Sequence, residues 1–329
     1  MKRIIILAVL LISGLYNLSF SQGKKKITYV SDNNNSSYYQ VFVMDEDGSN
    51  KIQITDVIAN CMHPKWSPDG TKIVFHTDDN RIFIVDNANT DKPSEPYFVF
   101  GGSNPIFESQ GQQIFFNSDH DGILTIYIID PEEKDAYAVS TLGYSNQQVL
   151  SRDGSKLVFS AFYEGNKSVM LIDLNDTTED NTYQISMNDN ANLVPDISSD
   201  NQLIVYAGFN NQLHGTIYIN NNGKESALSK GITSANAPKF SPNDSKIAFL
   251  SIENTSVKLY VMNTDGSKKE SYSIKGGNIG TYAWLDNDRI VYDAENGKEY
   301  VVGIIDIVSD KSSLLATDGN CLHPDVVKY

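Results

Sequence analysis

The sequence is poor in cysteine, in basic residues and in long apolar runs. Its 2 cysteines among 329 residues allow at most one disulfide. Lys and Arg number 26 against 41 Asp and Glu, for a formal net charge of −15. A nucleic-acid surface needs a basic stripe, so that class of partner is excluded. Beyond residue 20 no apolar run is long enough to cross a bilayer, and no segment repeats its apolar residues at the helical period. Apolar residues nevertheless make up 40%, enough for a large core. Tyr (18), Phe (14) and Gly (22) point to strands joined by tight turns.

The one long apolar run stands at the start. Met1-Lys2-Arg3 is a short basic beginning, and 4–20 is almost wholly apolar. Ser19 and Ser21 put small residues at the −3 and −1 positions of a cut before Gln22, the pattern of a secretory leader. An uncleaved anchor is the competing reading. The run falls short of the ~20 residues that span a bilayer, and Asn17 interrupts it. No cysteine lies at the cut, so a lipid anchor is not indicated. The expected organisation is a signal peptide over 1–21 and one mature domain over 22–329, periplasmic or secreted, monomeric and without a membrane span.

The mature chain is one unit used repeatedly. Its best-formed copy is HPKWSPDGTKIVFHTDDNRIFIVD (63–86), and a second is APKFSPNDSKIAFLSIENTSVKLYVMNTDG (237–266). Fainter copies begin at residues 104, 146, 194 and 281. Each unit can be anchored on the residue at the Trp of its W-S-P-D-G box. The anchors are Trp66, Phe107, Leu150, Ile197, Phe240, Trp284 and Val326, spaced by 41, 43, 47, 43, 44 and 42 residues. A near-constant period of that length is the signature of a four-stranded propeller blade.

Within a unit, strand a carries the anchor and ends at a turn such as Pro68-Asp69-Gly70. Strand b follows with apolar alternation, as in Ile73-Val74-Phe75, and strand c is the most regular. Strand d is short and suits an exposed edge. The two ends of the chain complete each other: ITYVSD (27–32) is a strand b without a strand a, and NCLHPDVVKY (320–329) is a strand a without a strand b. The expected fold is all-β, a seven-bladed β-propeller whose split first blade is closed by the C-terminal strand. Six blades is the alternative, should a faint unit form no sheet of its own.

The boxes HPKWSPDGTKIVF…RIFIVD and APKFSPNDSKIAFLS…KLYVMNTDG resemble the repeat of TolB-type β-propellers, over nearly all of 24–329. The resemblance implies an extracytoplasmic propeller that holds an envelope or secreted protein partner at the mouth of its channel, a scaffold rather than an enzyme. The chain departs from TolB in passing from leader straight to strand, where TolB carries an α/β domain. The same repeat is an accessory domain of prolyl-oligopeptidase-like enzymes, but Gly143-Tyr144-Ser145-Asn146-Gln147 lacks the second glycine of a nucleophile elbow. Oligogalacturonate lyases, also seven-bladed, imply the alternative: an oligosaccharide-binding or polysaccharide-lyase-like protein with a metal on channel histidines. The 5 histidines here contain no H-x-H pair and do not match that pattern.

Two near-duplicate boxes, NCMHP (60–64) and NCLHP (320–324), start strand a in adjacent blades. Cys61 and Cys321 are therefore topological neighbours. A disulfide between them would staple the ring closure; otherwise they are two small buried residues of a repeated motif. His63 and His323 are neighbours in the same way. Three residues before each anchor the ring reads His323, His63, Asn104, Gln147, Val194, Ala237, Thr281. This one-sided polar arc at the channel mouth is the candidate ligand site, against the plainer reading of a hydrated channel. Two imidazoles alone do not make a metal site, and no resident cofactor is expected.

The b–c loops open on the same face with Asp78 and Asp79, Asp119, His120 and Asp121, Glu164, and Asp293 with Glu295. Their charge suits a basic partner or a divalent cation, and equally a solvated turn. Asp45-Glu46-Asp47-Gly48 and Asn263-Thr264-Asp265-Gly266 lack the length and terminal Glu of an EF-hand loop and read as hairpin turns. Trp66 and Trp284 are expected to pack between blades.

Overall fold

A computed structural model describes residues 25–33, 36–178 and 181–327. The leader read over 1–21 lies outside the described residues. Among the described residues every regular element is a strand, and no helix is long and apolar enough to cross a membrane. The 28 strands form seven four-stranded antiparallel sheets, one for each repeat unit, so the six-blade alternative falls.

Blade 1 is the split one. Its strands b, c and d are Lys26–Ser31, Gln40–Asp45 and Ile52–Gln53, and its strand a is Cys321–Val326. Ile27 pairs with Val326 and Ser31 with Cys321, so the chain's last strand completes its first sheet. Strand b of blade 1 is thereby paired on both edges, as strand b is in every other blade.

Strand b departs from the expected alternation. Ile73 to Thr77 are all buried, because both faces of a blade are covered by its neighbours. Ile73 and Phe75 join Trp66 against Val30 and Val41 of blade 1, while Val74 packs with Phe107 and Ile114 of blade 3. The core is accordingly seven apolar clusters, one at each interface between successive blades. Trp66 and Trp284 lie in two of these clusters, as expected.

The a–b and c–d turns share one end of the ring and satisfy themselves. The Thr71 N–H donates to Asp69 Oδ1 at 3.0 Å and the Lys72 N–H to Ser67 Oγ at 2.9 Å, while Gly70 takes a φ of 69°. Ser151 and Asp153 repeat the arrangement in blade 4, and Ser241 and Asn243 in blade 6. At the c–d turn the Gly48 N–H donates to the Asp45 carbonyl at 2.9 Å, closing a hairpin.

Cys61 and Cys321 are both free and buried, which fits the reading of two small buried residues and not the staple. Cys61 sits in the cluster between blades 1 and 2, with Thr55 Oγ1 at 3.7 Å. Cys321 sits between blades 7 and 1, with Ser31 Oγ at 3.5 Å. The sheet of blade 1 separates the two thiols, although the strands that carry them are neighbours. Burial pushes Cys61 up to about 12 and Cys321 up to about 11, which keeps both protonated and unreactive at neutral pH.

Candidate functional site

Every strand a contains a register shift against strand b, and the residue three before the anchor lies inside it. In six blades that residue has left-handed backbone: His63 (φ 47°), Asn104 (50°), Gln147 (57°), Val194 (53°), Ala237 (50°) and His323 (54°). A bulge of this kind re-aims a side chain out of the pleat. Here it sets the arc residues on the innermost strand, at the end of the ring shared by the b–c and d–a loops.

A second tier of side chains, which the sequence reading missed, supports the arc from strand b. In blade 2 the His76 ring stacks on His63 at 5.5 Å between centroids. In blade 3 Asn104 Nδ2 donates to Asn117 Oδ1 at 3.5 Å. In blade 4 Ser160 Oγ donates to Gln147 Oε1 at 3.1 Å, and that oxygen also accepts the Val194 N–H at 3.0 Å. In blade 7 Asp293 accepts from the N–H and Oγ1 of Thr281 and from the His323 N–H, each at 2.7 Å. Blades 5 and 6 hold Val194 with Ala207 and Ala237 with Leu250 at the same two positions. The mouth is thus a two-tier polar crescent closed by an apolar segment. The sequence carries a signal for it in six blades: the fourth residue of the strand-b box (His76, Asn117, Ser160, Ala207, Leu250, Asp293) turns polar or apolar together with its arc partner, while blade 1 departs, with Val30 behind His323.

The centre of the crescent is a stack of three imidazoles. His63 lies on His323 at 3.9 Å between centroids with 25° between planes, and on His76 at 13°. The His63 N–H donates to His323 Nδ1 at 3.4 Å, so that nitrogen is unprotonated. Burial first, then the neighbouring His323 and Lys65, hold His63 down at about 3. Burial likewise holds His76 and His323 at about 4. At neutral pH the stack is uncharged, and His76 Nδ1 is buried without a hydrogen-bond partner. Asp293 is held above the usual carboxylate range by burial, against its hydrogen bonds.

One register step deeper, Lys65 Nζ pairs with Asp325 Oδ1 at 2.8 Å. Asp325 Oδ2 accepts the Trp66 N–H at 3.2 Å, and Asp196 Oδ2 accepts the Phe240 N–H at 2.8 Å. These two carboxylates tie the inner strand of blade 1 to that of blade 2, and that of blade 5 to that of blade 6.

The structure brings His63, His323, Asn104 and Gln147 into the crescent and leaves the b–c loop residues on the outer rim. Asp78 accepts from Asn60 Nδ2 at 2.6 Å, while Asn60 Oδ1 accepts the Tyr39 N–H of blade 1 at 3.0 Å. Asp32, Asn320 and Tyr300 repeat this latch at the previous interface. The duplicated Asn-Cys boxes are thereby explained as joints between blades. Asp119 and His120 are exposed on the blade 3 loop, where the His120 ring meets Phe100 edge-on at 5.4 Å. Asp293, read as a loop carboxylate, is instead buried in the channel wall. Among the described residues no three His, Cys, Asp or Glu side chains are grouped to hold a metal ion. Stacked rings keep their nitrogens in parallel planes, which does not fit the convergent set of a lyase-type metal centre.

The two ends of the ring differ in exposed apolar surface. Of the 14 large apolar side chains exposed among the described residues, eight stand on the b–c and d–a loops or the strand ends beside them, including Ile58 (85%), Ile123 (60%), Tyr144 (64%), Phe162 (50%), Met187 (62%) and Leu213 (76%). Only Val308 lies on the opposite end; the other five are on outer strands d. Ile123, Tyr144 and Phe162 belong together, since Ile123 lies against Gly143 and the Phe162 N–H donates to the Gly143 carbonyl at 3.3 Å.

Seven four-stranded sheets, the first closed by the last strand of the chain, define a seven-bladed β-propeller. A family model described as the TolB beta propeller domain matches residues 20–288, and the chain belongs to that family. Among solved structures it is similar to TolB from Acinetobacter baumannii, at 16% identity and a TM-score of 0.58, over 92% of this chain and 66% of that one. It is similar to the β-propeller domain of the Trilobed protease from Pyrococcus furiosus, at 16% identity and 0.63, over 91% and 94%. A puromycin-hydrolyzing peptidase from Mycobacterium tuberculosis matches at 12% identity and 0.69, over 90% and 52%. The chain thus spans just under two thirds of that TolB and about half of the peptidase. At these identities the likeness shows the fold alone. No curated protein matches the chain.

Proposed function

We propose that the chain is an exported recognition propeller that binds a protein partner of the cell envelope with the channel-mouth end of its ring, without covalent chemistry. The observation that supports this most is the placement of eight of the 14 exposed large apolar side chains on that end and one on the other. Apolar surface left in water on one face of a ring is what an interface presents before its partner arrives. Tyr144, Phe162 and Met187 are of the residue types that anchor such interfaces. The polar crescent lies at the centre of this surface and supplies hydrogen-bonding groups that a partner's backbone or side chain would use.

A photo-crosslinking amino acid at Tyr144, with a second version at Val308 on the opposite end, tests the reading in envelope extract. The expected result is one discrete adduct from Tyr144 and none from Val308. Adducts from Val308 alone, or from neither position, overturn it.

A further inference from the structure

We infer that the mouth receives a cationic peptide segment studded with apolar side chains, seated over blades 1–4 and not over blades 5–7. The inference rests on the reading of the mouth as the protein-binding end and adds to it the chemistry of the occupant and the side on which it lies.

Charge at the mouth is divided by blade. The loops of blades 1–4 expose Asp56, Asp78, Asp119, Glu164 and Asp189. The loops and strand ends of blades 5–7 expose Lys230, Lys275 and Lys298 beside Glu299 and Asp318, the latter paired with Lys51 at 3.4 Å. Part of the acidic side is already committed within the molecule: Asp78 to the Asn60 latch and Asp79 to Arg81 at 2.8 Å. Asp56, Asp119, Glu164 and Asp189 form no ion pair among the described residues.

Six of the eight apolar side chains at the mouth share that side, while Leu213 and Ile252 stand on blades 5 and 6. Ile58, Ile123, Tyr144, Phe162 and Met187 rise from the loops and strand ends of blades 1–4, between the uncommitted carboxylates. Carboxylates interleaved with apolar groups match a segment that alternates Lys or Arg with apolar residues, since the aliphatic stems of the basic side chains cover apolar surface while their heads reach the acids. The same rim repels an anionic bilayer, whose peripheral binders present Lys and Arg around their apolar groups. Charge complementarity therefore selects a basic protein segment over a lipid surface. Attraction at the rim also speeds encounter and fades with salt.

The test is selection of phage-displayed random peptides on the immobilised whole protein, with counter-selection on the Ile123→Ser/Tyr144→Ser/Phe162→Ser variant. All three side chains are exposed, and a thermal melt checks that the variant folds. The peptides retained only by the unaltered protein are expected to be net positive and to carry spaced apolar residues. Their affinity is expected to fall about tenfold or more from low to moderate salt, and similarly in Asp119→Asn/Glu164→Gln/Asp189→Asn. Lys230→Gln/Lys298→Gln is expected to leave it unchanged. Neutral or acidic mouth-specific peptides, or binding of phosphatidylglycerol vesicles by the unaltered protein, overturn the inference and leave the mouth as an interface. Failure to select any mouth-specific peptide overturns both.

Discussion

In blade 2 the bulged residue of the inner strand is His63, backed by His76; in blade 5 it is Val194, backed by Ala207. The backbone is the same in both, with φ of 47° and 53° and a register shift at the same place. Left-handed backbone in a residue other than glycine is often taken as a mark of a functional site. Here it recurs in six of seven blades whatever the side chain, so it belongs to the construction of the ring. What distinguishes the crescent from the apolar segment is the matched chemistry of two tiers, and that match is the better mark of a site.

The largest disturbance of this contrast is to remove a whole member of the crescent. Deleting 320–329 takes away His323 together with the strand that pairs with Lys26–Ser31, and bares Ile27, Tyr29 and Val30. The expected result is loss of the cooperative thermal transition, read by circular dichroism. A truncated protein that melts like the full chain would show that the seam carries no stability. Next is Asp293→Ala, which leaves the N–H groups of Thr281 and His323 without their acceptor. A cost of about 2–3 kcal/mol is expected in urea unfolding. An unchanged midpoint would sink the idea that the second tier supports the first.

A smaller effect comes from pH. The folded-state pKa values of His63 (about 3), His76 and His323 (about 4) lie below the ordinary 6.5. Below 6.5 the unfolded chain takes up protons that the folded stack refuses, so stability falls as pH drops from 6.5 towards 4. Asp293, raised by burial, contributes with the opposite sign. The fall is expected to be visibly shallower in His63→Ala/His323→Ala, measured as melting temperature against pH, and parallel curves would refute a neutral stack. The smallest effect is on the apolar side. Val194 is the one β-branched residue among the six left-handed bulges. Val194→Asn, which tolerates that backbone, is expected to raise stability by about 1 kcal/mol. A lower urea midpoint would show that apolar contact at Val194 outweighs its strain.

Much of the ring was legible along the chain. The forty-residue period, the seven units and the complementary ends are local patterns, and a repeat must place equivalent residues in equivalent positions. The arc was found by the same reasoning, because counting back from each anchor needs no coordinates. His76 and Asp293 escaped it for a physical reason. Strand b is buried on both faces, so its run reads as core, and a polar residue at its end reads as the start of a loop. Cys61 and Cys321 show the converse limit: inner strands of adjacent blades invite a disulfide, yet thiols packed at the two different interfaces flanking blade 1 cannot meet.

Period, turn chemistry and closure follow from residues close in sequence or from a count between copies, which is why they stand in the amino-acid order alone. The stacked histidines, the separated thiols, and the gathering of carboxylates and exposed apolar groups over blades 1–4 involve side chains from different repeats. Their distances depend on how the sheets are turned around the channel, and only the closed ring sets that turn.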